Sequence, residues 1–418
     1  MVLLHRIREK ISCSGSRSLI CVLLPVLTFI IGLIIPSPFF HHGLRGYIAT
    51  TNDMLVDTIN MAFLDGSVYE GSIVVKTKER EGYGKLTMKD GTIYEGEWKK
   101  DKLPFGNRIS KTSVYSGHFD NELNLDGFGI IEYSENYIKG KRSQGIEDMN
   151  ITKKYIGNWR KNNKQGLGRS IKCDETMEFG VYSEGIIRKV DGANYKIGGS
   201  VYGIDVSHYQ ADINWDKMAL FCDKNGNVYA NKGAESSFMQ PVFFCYMKAT
   251  EGSTVKDKTY NIRMIEAQRH GIVRGAYHFL HIGTNIDDQI KNFLETATWT
   301  SGDMPPALDV ELENEINEYG VAESQKYILA WLEKVEKKLG VRPIIYTRES
   351  IRNKYLNDVR FEKYDFWIAR YSENQPNNFD WLLWQKSDKG YMNGTKGQID
   401  INLFKSNYSS FQKFLSKH

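Results

Sequence analysis

The stretch Pro305-Pro306-Ala307-Leu308-Asp309-Val310-Glu311-Leu312-Glu313-Asn314 sets carboxylates at alternate positions of a short apolar run. Read as a strand, it sends Asp309 and Glu311 to one face and Leu308, Val310 and Leu312 to the other. Two neighbouring carboxyls in an apolar strand are costly, because burial and like-charge repulsion both oppose ionisation. Such a pair suits acid–base chemistry in which one acid holds a proton and the other does not. The same pattern also suits an edge strand whose polar face meets water. Glu313 joins the pair only if the strand runs that far, and is otherwise a rim residue.

The surrounding chain supplies elements that could hold this pair. From Tyr202 onward, short apolar runs alternate with helical stretches: Gly203–Ser207, Val242–Lys248, Gly275–Leu280, the acidic strand and Pro343–Thr347. Ile328, Trp331, Val335 and Leu339 recur at helical spacing, with Gly340 as the stop. Three further runs, Phe366–Tyr371, Trp381–Gln385 and Gln398–Phe404, follow with little helix between them. The order predicts an α/β fold, an incomplete (β/α)5β3 barrel related to the TIM barrel. Functional residues of such barrels sit at the carboxyl ends of strands, where Asp205, Glu251, Asp309, Glu311 and Asp400 all fall.

Upstream, residues 64–190 are self-similar. Tyr69-Glu70-Gly71, Tyr94-Glu95-Gly96-Glu97-Trp98, Tyr115-Ser116-Gly117-His118-Phe119 and Tyr155-Ile156-Gly157-Asn158-Trp159 share a Tyr-x-Gly core. Gly82-Tyr83-Gly84, Gly127-Phe128-Gly129 and Gly166-Leu167-Gly168 lie between them. Aromatic alternation bounded by glycine turns reads as a stack of β-hairpins. The pattern resembles the MORN repeat in about five or six copies, one offset at Tyr137-Ile138-Lys139-Gly140 and a degraded last one near Phe179-Gly180. The resemblance implies an all-β module that attaches to proteins or membranes; a passive spacer would look the same.

At the N-terminus, Arg6, Arg8, Lys10 and Arg17 precede an uncharged run from Leu19 to Phe40. A run of that length matches a bilayer core at about 1.5 Å per residue. The segment 18–40 is expected as a transmembrane signal anchor, with 1–17 a cytoplasmic basic tail, 41–63 a linker and the catalytic domain at 195–418 outside the cytoplasm. A cleaved signal peptide would instead secrete the protein. The 418-residue chain has a net charge of +4 and 25% charged residues, which calls for no nucleic-acid partner. Five cysteines, with no CxxC, read as unpaired thiols.

In the C-terminal half, seven motifs stand in order: Gly203-Ile204-Asp205-Val206-Ser207-His208-Tyr209-Gln210, Lys248-Ala249-Thr250-Glu251-Gly252, Gly275-Ala276-Tyr277-His278-Phe279, Leu308-Asp309-Val310-Glu311, Trp367-Ile368-Ala369-Arg370-Tyr371, Trp384-Gln385 and Ile399-Asp400-Ile401-Asn402. Together they resemble glycoside hydrolase family 25, the Chalaropsis-type lysozymes or N-acetylmuramidases. The resemblance implies cleavage of the β-1,4 bond between N-acetylmuramic acid and N-acetylglucosamine in peptidoglycan. It assigns Glu311 as general acid and Asp309, Asp205 and Asp400 as the other site carboxylates. It also places Tyr277, Tyr346, Trp367, Tyr371, Trp384 and Gln385 along the substrate groove. No cofactor or metal is expected, and a longer connection at 223–240 departs from the family pattern.

Glycosidic cleavage needs a protonated acid at the leaving oxygen and a second carboxylate facing the cationic centre. Crowding by aspartates should raise Glu311, while Asp309 would stay ionised to stabilise the cation or orient the substrate acetamido group. Cα atoms two apart on a strand stand about 6.6 Å apart, so side-chain rotamers span both retaining and inverting separations. The resemblance favours retention. His278 and His281 fall on opposite faces of a strand, which suits structural roles rather than a metal pair. Two other functions fit the domain order: a glycan-binding protein without turnover, and an envelope scaffold in which the repeats are primary.

Overall fold

The computed structural model describes residues 56–188, 200–210, 212–223, 226–229 and 238–417. Its first sheet is a meander of eleven strands, each antiparallel to the next along the chain. These are β1 (Val56–Ala62), β2 (Val68–Val74), β3 (Arg80–Thr87), β4 (Ile93–Trp98), β5 (Phe105–Ile109), β6 (Ser113–Phe119), β7 (Leu125–Tyr133), β8 (Thr152–Arg160), β9 (Asn163–Lys172), β10 (Met177–Ser183) and β11 (Ile186–Ile187). The Tyr-x-Gly core has a mechanical reason. Tyr69, Tyr115 and Tyr155 are buried, and each hydroxyl donates to the carbonyl three residues on, Ser72 (2.9 Å), His118 (2.9 Å) and Asn158 (3.1 Å). The rings lie across the glycines of the next strand. A Cβ on Gly84 would stand 2.1 Å from the Tyr69 oxygen, and one on Gly129 2.2 Å from that of Tyr115. Trp98 and Trp159 then donate their indole N–H to the Gly84 and Gly129 carbonyls, at 3.0 and 3.3 Å. The repeat is thus a ring laid over a bare backbone.

Three expectations for the N-terminal half are corrected. The stretch around Tyr137–Gly140 is no hairpin copy but a helix, α1 (Glu135–Ser143), whose N-terminus is capped by Ser134 Oγ accepting from Tyr137 N–H. Strand β1 lies within the expected linker and pairs with β2 although it lacks the aromatic motif. The transmembrane helix over 18–40 falls outside the described residues. No helix among those described is long and apolar enough to cross a membrane, and the described residues form the array and the barrel.

The second sheet closes on itself. Strands β12 (Ser200–Val206), β15 (Phe244–Glu251), β17 (Val273–Phe279), β18 (Ala307–Val310), β19 (Ile344–Arg348), β20 (Phe366–Ala369) and β21 (Leu383–Gly390) run parallel. Strand β23 (Ile399–Asn407) pairs antiparallel with β21 and β12 and completes the barrel. A short β16 (Val255–Lys256) extends β15, and β13 (Ala219–Phe221), β14 (Met239–Gln240) and β22 (Met392–Asn393) make a small separate sheet. Helices α2 (Tyr260–Arg269), α3 (Ile286–Thr296), α4 (Glu313–Tyr319), α5 (Val321–Leu339) and α6 (Glu349–Tyr355) fill the connections from β15 to β20, and α7 (Tyr408–Leu415) follows β23. Helix α5 buries Ile328, Trp331 and Val335 and ends at Gly340 with φ 73°.

The expected first helical unit differs. Among the described residues, the β12–β15 connection carries a 3-10 turn (Trp215–Lys217) and short strands in place of an α-helix. That turn is tied down from outside: Asn214 N–H donates to the Gly394 carbonyl at 2.8 Å, and Asn158 of the array donates to the Asp216 carbonyl at 3.1 Å.

Array and barrel belong to one compact unit, Met54–His418. Ile171 and Met177 of the array pack with Val201 and Phe243, at the amino ends of barrel strands. Arg169 crosses the seam with its guanidinium over the Phe243 ring at 5.2 Å and Nη2 donating to the Gly271 carbonyl at 2.7 Å. Phe128 meets His270 with ring centroids 4.2 Å apart. The array therefore seats the barrel at the end opposite its carboxyl-terminal mouth.

Candidate active site

Alternation along the barrel strands sorts side chains into two layers. Leu308, Val310, Ile345 and Ile368 face outward into the helix-packed core, whereas Tyr246, Ala307, Tyr346 and Trp367 belong to the interior. Asp309 follows the interior phase, directly across from Tyr346 on one side and Phe279 on the other. Asp205 stands opposite Asp400 across the closing seam, and Gln385 opposite Asn402. The strand ends at Val310, so Glu311 stands at the lip, its side chain 21% exposed. Glu313 opens α4 instead and binds Lys354 and Tyr355 (3.0 and 2.8 Å), a rim residue as expected.

Hydrogen bonds fix the acids from beneath. Asp205 Oδ1 accepts from Gln385 Nε2 at 2.9 Å and from Asn402 Nδ2 at 2.7 Å. Gln385 Oε1 accepts from the Tyr346 and Tyr371 hydroxyls at 2.8 and 3.0 Å, and Asn402 Oδ1 from the Trp367 indole at 2.7 Å. An indole N–H only donates, so it forces the Asn402 amide to turn its NH2 to Asp205. Trp367 is buried between Tyr246 (4.7 Å, stacked) and Tyr346 (4.6 Å), and forms the floor of the site.

Burial pushes all four acids up, and repulsion from neighbouring carboxylates adds to it for Asp309, Glu311 and Asp400. For Asp400 the causes are burial, then the charge of Asp205 and the hydrogen bond to it, and together they carry it to about 9. Asp400 is thus the proton-bearing partner of that pair. Asp205 is raised by burial, against the donors Asn402 and Gln385. Glu311 is raised by burial, against Arg348, whose Nε lies 3.4 Å from Oε1. Asp309 is raised well above the usual range by burial and then by the charge of Glu311, with Lys248 opposing. Its Oδ1 is buried without a hydrogen-bond partner among the described residues. The expectation that Asp309 stays ionised runs against its surroundings, since its carboxyl is the more deeply buried of the two and is pushed toward the protonated form.

The remaining groove residues divide. Tyr277 faces Asp205, Asp309 and Asp400, and burial together with their charges keeps its hydroxyl neutral. Tyr346 does the same beside Glu311 and Asp309, and Tyr371 stands half exposed at the rim. Trp384 is not brought to the groove. It packs outward with Trp381, and its indole donates to the Arg370 carbonyl at 2.8 Å. Sequence reasoning passed over Asn402, Lys248 and Arg348. Asn402 lies two residues after Asp400 on one strand, and that spacing was its signal. His278 is buried in the outer layer between Thr250 and Gln289 (2.7 and 3.1 Å), with burial pushing it down to about 4.

Residues 204–395 match the family model of glycosyl hydrolases family 25, and residues 78–93, 94–103 and 155–177 match the MORN repeat. The chain is 31% identical over 218 residues to the uncharacterized protein YegX of Escherichia coli (strain K12), which covers 52% of this chain and 74% of that protein. It is 29% identical over 220 residues to lysozyme M1 of Streptomyces globisporus, covering 49% of this chain and 67% of the lysozyme. A crystal structure of a bacterial lysozyme from Streptomyces coelicolor aligns with a TM-score of 0.44 and 26% identity, over 52% of this chain and 97% of that one. The chain belongs to glycosyl hydrolases family 25. It is a glycoside hydrolase of the lysozyme type that also carries MORN repeats.

Proposed function

We propose that the barrel hydrolyses peptidoglycan at the β-1,4 bond between N-acetylmuramic acid and N-acetylglucosamine, with Glu311 as the general acid. The observation that carries this reading is the contrast within the Asp309–Glu311 pair. Both are pushed toward the protonated form, but only Glu311 stands at the lip, where a leaving-group oxygen can reach it. Asp309 offers a buried oxygen with no hydrogen-bond partner among the described residues, suited to accept the N–H of a substrate acetamido group. On that binding mode the acetamido oxygen attacks the anomeric carbon as Glu311 protonates the departing oxygen, and water later opens the ring with Glu311 as base. Asp205 and Asp400 share one proton and shape the negative potential around the cationic centre. Tyr277, Tyr346 and Tyr371 line the mouth, and Gln385 links two of them to Asp205. The substrate places this work outside the cytoplasm, and the array serves as a rigid base beneath the barrel.

The test is release of reducing ends from purified peptidoglycan by the full chain and by Glu311→Gln. Wild type should leave muramic acid at the new reducing end, and the variant should lose at least about a hundredfold in kcat. An undiminished Glu311→Gln would move the acid elsewhere in the site. A folded wild type that binds glycan without cleaving it would refute the hydrolytic reading.

A further inference from the structure

A second row of charges leaves the site on the Lys248 side. Lys248 projects into the barrel from β15 and is 7% exposed. Its ammonium lies over the Phe279 ring at 4.8 Å, and Phe279 is the strand neighbour of Asp309. Lys248 Nζ donates to Glu251 Oε2 at 2.5 Å. The other carboxylate oxygen, Glu251 Oε1, meets His281 Nε2 at 3.1 Å. His281 Nδ1 meets Glu315 Oε1 at 3.0 Å, and Glu315 Oε2 accepts from the Ile282 N–H at 2.7 Å. Both ring nitrogens thus face carboxylate oxygens. An ionised carboxylate only accepts, so both nitrogens must carry protons to satisfy the arrangement.

The ring is held in place from several elements. Gln289 on α3 accepts from the His281 N–H at 3.1 Å and donates to its carbonyl at 2.7 Å, and the Tyr327 hydroxyl on α5 donates to the same carbonyl at 3.2 Å. The Phe279 ring stands 5.4 Å away. Charged and titratable groups facing the imidazole are Glu251, Glu315, Lys248 through Glu251, and His278, which is neutral. Burial opposes the charge on His281, but the two carboxylates outweigh it and raise its proton affinity above the usual value.

We infer that His281, as an imidazolium clamped between Glu251 and Glu315, is a positioning residue for hydrolysis: it fixes Glu251 so that Lys248 is kept beside Asp309. The inference rests on the reading of Asp309 and Glu311 as the working pair. With the proton in place, Glu315, His281, Glu251 and Lys248 alternate in sign and balance. Without it, one carboxylate faces a bare lone pair and the row gains a net negative charge next to Asp309. That charge would hold the Asp309 proton more tightly and draw Lys248 toward Glu251. On the proposed mechanism Asp309 accepts the acetamido N–H as a carboxylate, so its ionisation sets the acidic side of the kcat/KM profile, which would then move to higher pH.

The experiment compares the full chain with His281→Gln and His281→Arg, reading kcat/KM on soluble peptidoglycan fragments from pH 4 to 9. In parallel, the ring nitrogens of wild-type His281 are followed by 15N NMR. His281→Gln should shift the acidic limb up by about one pH unit, a tenfold loss on that side of the optimum. His281→Arg, which keeps the charge and two donors, should return the limb toward wild type. Both ring nitrogens should remain protonated at pH 7, and Glu315→Gln should lower the pH at which the proton leaves. A limb that stays at the wild-type pH in a folded His281→Gln, or a neutral His281 at pH 7, overturns the inference. If wild type fails to hydrolyse, or Glu311→Gln is fully active, the reading of the site has failed instead. The NMR titration, with and without Glu251→Gln, still decides the clamp.

Discussion

Replacing Asp400 by Asn should stabilise the protein, and increasingly so as the pH rises. The Asp400 carboxyl goes from 3.8 in the unfolded chain to about 9 in the fold. Folding therefore takes up a proton between those values, and stability falls as the pH climbs through that window. Five pH units correspond to about 7 kcal/mol at the alkaline end, and the three units that separate 3.8 from pH 7 to about 4 kcal/mol. Asp400 is only half-buried and shares its proton with Asp205, and solvent screening roughly halves these values, leaving ~2 kcal/mol at pH 7 and under ~1 kcal/mol at pH 5. Asn presents the same shape with a permanent donor toward Asp205, and removes the titration. Urea unfolding of the full chain and of Asp400→Asn at pH 5, 7 and 9 measures the gap. A stability difference that is flat from pH 5 to 9, or a variant less stable at pH 9, would refute the assignment of the proton to Asp400.

Three further outcomes follow from packing. Trp367→Phe removes the donor that orients Asn402 and leaves a buried carbonyl without a partner, so it should destabilise by about 1–3 kcal/mol and lower kcat. Trp384→Phe, on the outer face, should leave KM for glycan near wild type; a large rise in KM would place Trp384 in the groove after all. In the array, Gly129→Ala drives a methyl into the Tyr115 hydroxyl and should cost about 1–3 kcal/mol in denaturant unfolding. Equal stability would show that the ring-over-glycine contact is loose.

Period-two alternation made the acidic strand legible, because Leu308 and Val310 could satisfy the outer core only if Asp309 faced inward. The same rule was enough to set Trp384 aside: Gln385 and Trp384 are adjacent and cannot both face the interior. The family resemblance drew attention to the tryptophan while phase excluded it. Lys248 and Arg348 were harder, since their roles come from strands that meet Asp309 and Glu311 only in the closed barrel. The Tyr137–Gly140 stretch misled because its letters match a repeat while the capping Ser134 and the charges at both ends of α1 favour a helix. The upward push on Asp309 depends on depth, which spacing does not carry.

The closing seam has a consequence for when the enzyme can first act. In the array every strand pairs with the next, so its contacts are local and can form as the chain emerges. The barrel differs: Asp205 lies on its first strand, while Asp400 and Asn402 arrive on β23, about two hundred residues later in synthesis. Until β23 inserts between β12 and β21, Asp205 has neither the Asn402 donor nor its proton-sharing partner. The site's hydrogen-bond frame is therefore completed only when the last barrel strand is in place.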